Sequence, residues 1–191
     1  MPTAVSNKTE KRDKIIKVSL QLFAKNGYDS TTIRMIAKDA GISLGLLYNY
    51  FNGKNEVLKV IYEKSVVDVM RSFMVSEDIP TAELKFEHLL NQIFKSANKN
   101  LLFYKLFYSI RMQPSVQKLL SQQFSSLNSY IQANLESILI ELGYKDFETE
   151  SLILYALIDG ASNHYVLNHK NYPIEDIKKA IVERYCQKQM A

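Results

Sequence analysis

Side chains that could form a hydrolytic triad stand close together in one stretch of the chain. An acid, a hydroxyl and an imidazole occur at Asp159, Ser162 and His164, and serine hydrolases use this combination of groups. On a helix, however, His164 would lie about 200 degrees around the axis from Ser162, so it could not accept the serine proton. The pattern predicts no catalytic site, and we expect the protein not to be an enzyme.

The sequence also lacks the spacings that are typical of metal and nucleotide sites. The three histidines and the single cysteine, Cys186, show no zinc-ligand spacing with one another or with the carboxylates. There is no glycine-rich phosphate loop and no HExxH motif. We therefore predict no metal and no cofactor. A lone cysteine cannot form an internal disulfide, which favours the reducing cytoplasm.

Basic side chains are concentrated in the first third of the 191 residues, whose formal net charge is +4. Through Lys59 there are ten basic residues against five acids, and the remainder holds 14 against 15. This division indicates a polyanionic partner for the first part, either nucleic acid or an anionic membrane surface, with a solvated charged surface as the alternative. The longest apolar run, residues 152–158, is too short to span a membrane, and the start resembles no secretory signal. We expect a cytoplasmic protein.

The elements that carry these groups are predicted to be helices. Apolar residues recur at intervals of three and four and nowhere alternate, which predicts an all-α fold of about nine helices. Glycines and prolines mark the breaks between them. The predicted helices cover residues 10–26, 33–40, 44–51, 54–74, 81–97, 101–112, 114–142, 146–169 and 173–188.

The second and third helices have the spacing of a helix-turn-helix. Thr31 or Thr32 can cap the second helix, Gly41 can end it, and Ser43 can cap the third. This arrangement crosses two short helices so that the second one enters the major groove of DNA. The positions expected to be buried in this motif are Ile36, Ala37, Ile42, Leu47 and Phe51.

The stretch Thr32-Ile33-Arg34, Ile36-Ala37, Ala40-Gly41-Ile42-Ser43, Leu47-Tyr48-Asn49-Tyr50-Phe51 and Lys54 resembles the TetR family of bacterial transcriptional regulators. The resemblance implies an N-terminal three-helix DNA-binding domain and a C-terminal helical domain that binds an effector and dimerises. We expect a flexible basic arm over residues 1–9, the helix-turn-helix domain over 10–53 and the second domain over 54–191.

The resemblance assigns Tyr48 and Lys54 to contacts with DNA phosphate, and Thr32 can hold a phosphate with its hydroxyl and the amides of the helix start. The alternatives are core packing for Tyr48 and a solvated ammonium for Lys54. Arg34 can form a bidentate contact with guanine, unless it pairs with Asp29 or Asp39. The predicted base-reading residues are Arg34, Leu44, Gly45, Leu46, Asn49 and Tyr50.

The rest of the chain is expected to supply a homodimer interface and an effector pocket. Two-fold dimers match palindromic operators, and the predicted interface consists of Leu152, Tyr155, Ala156, Asp159, Gly160, Asn163, Ile177, Ile181 and Tyr185. The resemblance implies a cavity that binds an effector. For any one aromatic residue, the alternative is ordinary packing in the protein core. The predicted pocket consists of Met70, Arg71, Met74, Phe94, Phe103, Phe107, Tyr108, Arg111, Met112, Phe124 and Asn163.

These observations together predict a ligand-responsive transcriptional regulator that binds a double-stranded DNA operator. The resemblance implies a repressor that a small, largely apolar effector releases. The alternative is a helical module that binds proteins or a membrane surface and has no sequence-specific DNA binding. That alternative explains the basic charge, but it does not explain the turn at Gly41.

Overall fold

The computed structural model describes residues 4–186, with side chains from residue 8 onward. Within that part of the chain there are ten α-helices and no strand, which confirms the all-α prediction. In chain order the helices are α1 (Ala4–Asn26), α2 (Ile33–Ala40), α3 (Leu44–Tyr48), α4 (Lys54–Ser72), α5 (Ala82–Lys99), α6 (Leu101–Ile110), α7 (Pro114–Leu119), α8 (Ser121–Glu141), α9 (Phe147–Leu167) and α10 (Ile174–Cys186).

The chain divides into two compact units that differ from the predicted domains. The first unit contains residues 4–65 and 102–121, and the second contains 66–101 and 122–186. The predicted boundary at residues 53 and 54 falls inside the first unit because the start of α4 belongs to the core of that unit. Val57, Leu58 and Ile61 are each at most 1% exposed there.

The largest differences from the predicted helix bounds occur at three places, and the other ends differ by at most two residues. α1 begins at Ala4, so residues 4–9 of the expected flexible arm are helical, and residues 1–3 lie outside the described part of the chain. α3 ends at Tyr48, three residues before the predicted end at Phe51. The predicted helix 114–142 is interrupted at Leu120, which has φ −115° and ψ 18° and accounts for the tenth helix.

The core of the first unit packs α1 against α2. Ile15, Phe23, Ile36 and Ala40 are fully buried, and the hydroxyl of Ser19 on α1 is buried among them without a hydrogen-bond partner in the described residues. Burial of these apolar faces supplies the main stabilisation that holds the two short helices in place.

In the second unit, α5, α8, α9 and α10 supply most of the buried side chains. Phe86, Leu135 and Leu154 are fully buried. The ammonium of Lys85 lies 2.8 Å from a carboxylate oxygen of Glu141 on α8, at the edge of this core. None of the described helices combines the length and apolar character needed to cross a lipid bilayer.

Candidate nucleic-acid interface

Thr32 caps the N-terminus of α2, which decides between the two predicted capping residues. Its hydroxyl accepts a hydrogen bond from the N–H of Met35 at 3.2 Å. Thr31 is fully buried and donates its hydroxyl to the carbonyl of Gly27 at 2.8 Å. Thr32 is exposed, so its hydroxyl and the adjacent amides are accessible to an anion.

The turn between α2 and α3 depends on a glycine and a serine. Gly41 has φ +67°, in the left-handed region that favours glycine. The N–H of Ile42 donates to the carbonyl of Ala37 at 3.0 Å, which closes the end of α2. The hydroxyl of Ser43 then accepts from the N–H of Leu46 at 3.1 Å and starts α3. These contacts build the helix-turn-helix that the spacing predicts.

The outward face of α3 carries four of the nine predicted DNA contacts, Leu44, Gly45, Leu46 and Tyr48. Leu47 is fully buried, whereas Tyr48 is 49% exposed, so core packing does not account for Tyr48. Gly45 is exposed, and Leu44 and Leu46 are half-buried. The face is uncharged, so it can recognise DNA through apolar contacts with bases and through the shape of the DNA, rather than through charged side chains.

The other predicted base-reading residues lie at the edges of this face. Asn49 is exposed and Tyr50 is half-buried, and both follow the end of α3 rather than lying within it. Arg34 is exposed on α2. None of the ion pairs found among the described residues includes Arg34, which leaves its guanidinium available to a base.

Lys54 has an environment that the sequence did not indicate. Its ammonium donates to the carbonyls of Tyr28 at 3.0 Å and of Asp29 at 3.1 Å. It also lies 4.5 Å from the centroid of the Tyr28 ring, a cation–π distance. Lys54 is therefore held by the loop between α1 and α2, and the alternative of a freely solvated ammonium does not apply.

Tyr28 and Asn55 are two residues of this region that sequence reasoning missed. Tyr28 is 4% exposed, its ring packs edge-on against Phe23 with centroids 5.1 Å apart, and its hydroxyl donates to Oδ1 of Asn55. Burial, together with the neighbouring Asp29 carboxylate, raises the pKa of Tyr28 to about 12. The only sequence signal was an aromatic residue in an otherwise polar loop.

The first unit is more basic than the first third of the sequence. Its segments hold 14 basic and 6 acidic residues, and the rest of the chain holds 10 and 14. Along α1, Lys11, Lys14 and Lys17 are exposed. The ammonium of Lys14 lies beside the turn, 3.8 Å from the position that a Cβ on Gly41 would take. The charge therefore extends over the helix that supports the turn.

The predicted dimer residues lie on α9 and α10 of the second unit. Ala156, Gly160, Ile177 and Ile181 line a groove of about 380 Å³ between these helices. Leu152 is 60% exposed nearby. The remaining α9 residues of the set are half-buried, and these are Tyr155, Asp159 and Asn163.

Tyr185 faces the interior rather than the groove, which corrects its assignment to the interface. It is 2% exposed, and its ring lies 5.7 Å from that of Phe86 and 5.8 Å from that of Tyr144. Its carbonyl accepts the Tyr144 hydroxyl at 3.0 Å. Burial raises the pKa of Tyr185 to about 12, with the Glu150 carboxylate as the next contribution.

The predicted effector residues are divided between the units. Phe103, Phe107, Tyr108, Arg111 and Met112 belong to the first unit, and Met70, Arg71, Met74, Phe94, Phe124 and Asn163 belong to the second. Phe103 and Phe94 are buried, whereas Met74 and Met112 lie at the surface with 60% and 77% exposure. Arg71 lies 3.5 Å from the carboxylate of Asp68. Among the described residues, no group of three or more His, Cys, Asp or Glu side chains could hold a metal ion.

Comparison with known proteins agrees with this geometry. The sequence model of the bacterial regulatory proteins of the tetR family matches residues 15–61. The HTH-type transcriptional regulator PksA of Bacillus subtilis is 26% identical over 193 residues, covering 96% of this chain and 91% of that protein.

Two solved structures share the fold over almost the whole chain. The fatty acid degradation regulator FadR from Bacillus halodurans is 24% identical with a TM-score of 0.73, over 94% of this chain and 96% of that one. FadR from Bacillus subtilis, solved in complex with stearoyl-CoA, is 21% identical with a TM-score of 0.71, over 91% and 96%. The capped helix-turn-helix, the match to the family model and the full-length relative together show that this chain belongs to the TetR family of bacterial transcriptional regulators, which bind DNA.

Proposed function

We propose that the protein is a homodimeric repressor that binds a palindromic operator and leaves it when a fatty acyl-CoA binds. The observation that carries the DNA-binding part is the pair of capped helices, with Thr32 and Tyr48 exposed on α2 and α3. The basic charge of the first unit supports the same partner. Because operator DNA lies in the bacterial cytoplasm, the proposal implies that compartment.

Phosphate contacts would position the protein on the duplex. Thr32 would use its hydroxyl and the first amides of α2, and Tyr48 its phenol. Lys54 donates to two carbonyls, and an ammonium has three donors, so one donor remains for a phosphate. These contacts give affinity and register but do not select a sequence.

Base contacts would select the sequence. Arg34 is the charged side chain of the proposed set and suits guanine. Leu44 and Leu46 suit thymine methyl groups, and Gly45 lets the backbone approach the groove closely. Asn49 and Tyr50 would each add a hydrogen bond from the turn that follows α3.

The dimer would form through the groove between α9 and α10. Apart from the backbone of its own helix, no heavy atom of the described residues lies within 4 Å of the position that a Cβ on Gly160 would take, so a partner helix can approach α9 closely at this point. Leu152 and Ala156 extend the same exposed face toward the start of α9. We propose that two copies pair these faces about a two-fold axis, as an isologous interface requires.

The effector would contact the aromatic face of α6. The rings of Phe103 and Phe107 lie 6.2 Å apart, and those of Phe107 and Tyr108 lie 5.5 Å apart. The guanidinium of Arg111 lies 4.8 Å from the Tyr108 ring. An apolar surface that ends in a cation suits an acyl chain with an anionic group, and a related regulator was solved with stearoyl-CoA.

Linkage would connect the two binding events. The α6 residues of the proposed effector site and the DNA-binding helices belong to the same unit, and the Phe103 ring on α6 lies 6.1 Å from the Tyr62 ring on α4. A form of the protein favoured by the effector can therefore differ in the position of its DNA-binding helices. An effector that binds this form more tightly lowers the affinity of the protein for its operator. The size of this effect is limited by the ratio of the effector's affinities for the two forms. Typical couplings of about 1–3 kcal/mol correspond to a loss of about 5- to 150-fold.

A titration of the operator complex with stearoyl-CoA tests the effector proposal. We expect operator affinity to fall by about 5- to 150-fold, whereas coenzyme A alone and stearate alone should have smaller effects. Unchanged operator affinity with stearoyl-CoA would contradict the acyl-CoA proposal. The DNA-binding part is tested separately, by the binding of the free protein to its operator.

A further inference from the structure

We propose that Tyr28 is a positioning residue for operator binding. It ties the loop between α1 and α2 to the start of α4, and in this way it fixes the place of Thr32. The inference rests on the proposed function, in which Thr32 contacts a DNA phosphate. Tyr28 itself is 4% exposed, so its side chain has almost no surface with which to touch DNA.

The backbone of Tyr28 connects Lys54 to the residue before the cap. The carbonyl of Tyr28 accepts from the ammonium of Lys54 at 3.0 Å and from the N–H of Thr31 at 3.3 Å. Thr31 is fully buried and is bonded through its hydroxyl to Gly27 at 2.8 Å. A continuous set of hydrogen bonds therefore runs from the first residue of α4 to the residue that precedes Thr32.

The side chain of Tyr28 makes a second connection to the same place. Its hydroxyl donates to Oδ1 of Asn55, the second residue of α4, and its ring lies under the Lys54 ammonium. Two adjacent residues of α4 thus hold one loop residue through its carbonyl, its ring and its hydroxyl. Two connections restrict rotation of the loop more than a single bond would.

The start of α4 is a suitable reference for this positioning. Val57 and Leu58 are fully buried one turn later, which fixes the helix in the core of the first unit. The carboxylate of Glu56 accepts the N–H of Asn52 at 2.7 Å and so holds the turn that leads into α4. A loop tied to this helix start takes its position from the core rather than from solvent-exposed contacts.

The variant Tyr28→Phe tests the proposal because it removes the hydroxyl bond and keeps the ring and the backbone carbonyl. The probe is the DNA site that the wild-type protein protects from nuclease. We expect affinity for this site to fall by about three- to tenfold, the value of one hydrogen bond. The slope of log affinity against log salt should stay unchanged, since no charged contact is lost.

Two further variants show whether the loss occurs through the proposed contacts. Asn55→Ala removes the same hydrogen bond from its other end. The double variant Tyr28→Phe/Asn55→Ala should therefore bind the DNA site no more weakly than whichever single variant has the lower affinity. Thr32→Ala combined with Tyr28→Phe should lose less affinity than the product of the two separate losses, because a displaced Thr32 has already lost part of its contact.

A matched control separates positioning from general destabilisation. Ile15→Val shortens a fully buried side chain on α1 of the same unit and should lower Tm without changing operator affinity. If Tyr28→Phe lowers Tm and leaves affinity unchanged, Tyr28 is only structural and the proposal is overturned. If the slope of log affinity against log salt for Tyr28→Phe is smaller in magnitude by about 0.9 than that of the wild type, the variant has lost the phosphate contact of Lys54 instead. This result too would overturn the assignment to Thr32. If the wild-type protein protects no site, the proposed function fails, and this inference fails with it.

Discussion

The N–H of Ile42 donates to the carbonyl of Ala37 at 3.0 Å, across a glycine with φ +67°. This bond ends α2 and sets the direction in which α3 leaves. Because the left-handed conformation is costly for any residue with a Cβ, the direction of α3 depends on Gly41.

We expect Gly41→Ala to lower the free energy of unfolding by about 1 kcal/mol. The cost comes from the backbone, since the nearest atom to an added Cβ is the Lys14 ammonium at an ordinary contact distance of 3.8 Å. Gly45→Ala is the matched control, because Gly45 is helical and an added Cβ meets no atom within 4 Å. Chemical denaturation should show a gain of about 0.5–1 kcal/mol for Gly45→Ala, and equal effects of the two changes would contradict the backbone argument.

The helix-turn-helix could be predicted closely because local chemistry determines it. Glycine at position 41 and the hydroxyls at 32 and 43 act on atoms within a few residues of their own position. Such signals are readable from the sequence without knowledge of the fold. The cap at Thr32 rather than Thr31 required the structure, because tertiary burial occupies the Thr31 hydroxyl.

Other features could not be predicted because they arise between residues far apart in the chain. The contacts of Lys54 with Tyr28 span 26 positions. Leu120 interrupts a helix although neither glycine nor proline marks the break, and it is fully buried, which indicates that packing determines the break. Segment 102–121 joins the first unit, where the ring of Phe103 lies 6.1 Å from that of Tyr62, and no sequence pattern indicated this pairing.

Arg34→Ala should weaken binding in a sequence-dependent manner. A bidentate contact with guanine is worth about 1–3 kcal/mol against the wrong base, so we expect a loss of about 5- to 150-fold on the operator and a much smaller loss on scrambled DNA. Lys25→Ala removes an exposed charge from the end of α1 and serves as the control. Fluorescence anisotropy with operator DNA and with scrambled DNA measures the affinity of each variant. Equal losses of affinity on every sequence for Arg34→Ala would exclude base reading by Arg34.

Gly160→Glu should prevent dimerisation while the single chain still folds. The groove leaves room for the side chain within one protomer, but a buried carboxylate at a dimer interface is costly unless it is paired. Analytical ultracentrifugation should show monomers for this variant. Leu84→Glu, at a position that is 48% exposed on α5, should remain dimeric. A dimer that persists in Gly160→Glu would place the interface elsewhere.

Stability should fall at alkaline pH, in part through Tyr185. Burial raises the pKa of Tyr185 to about 12 from the ordinary value of 10.0, so the folded state retains the proton longer than the unfolded state does. The contribution is complete below pH 10 and is lost as the pH rises toward 12. Urea unfolding at a series of pH values between 8 and 11 should show a smaller alkaline loss in Tyr185→Phe. Parallel curves for the variant and the wild type would contradict this origin of the pH dependence.

Nuclease protection of the DNA that flanks the coding region tests the central claim most directly. A two-fold dimer of helix-turn-helix units should protect an inverted repeat whose half-sites are about 34–36 Å apart, or a multiple of that spacing. Protection should weaken steeply with salt, because the basic first unit releases counterions when it binds phosphates. If the purified protein protects no sequence selectively, with or without stearoyl-CoA and at any salt concentration, it does not function as an operator-binding repressor.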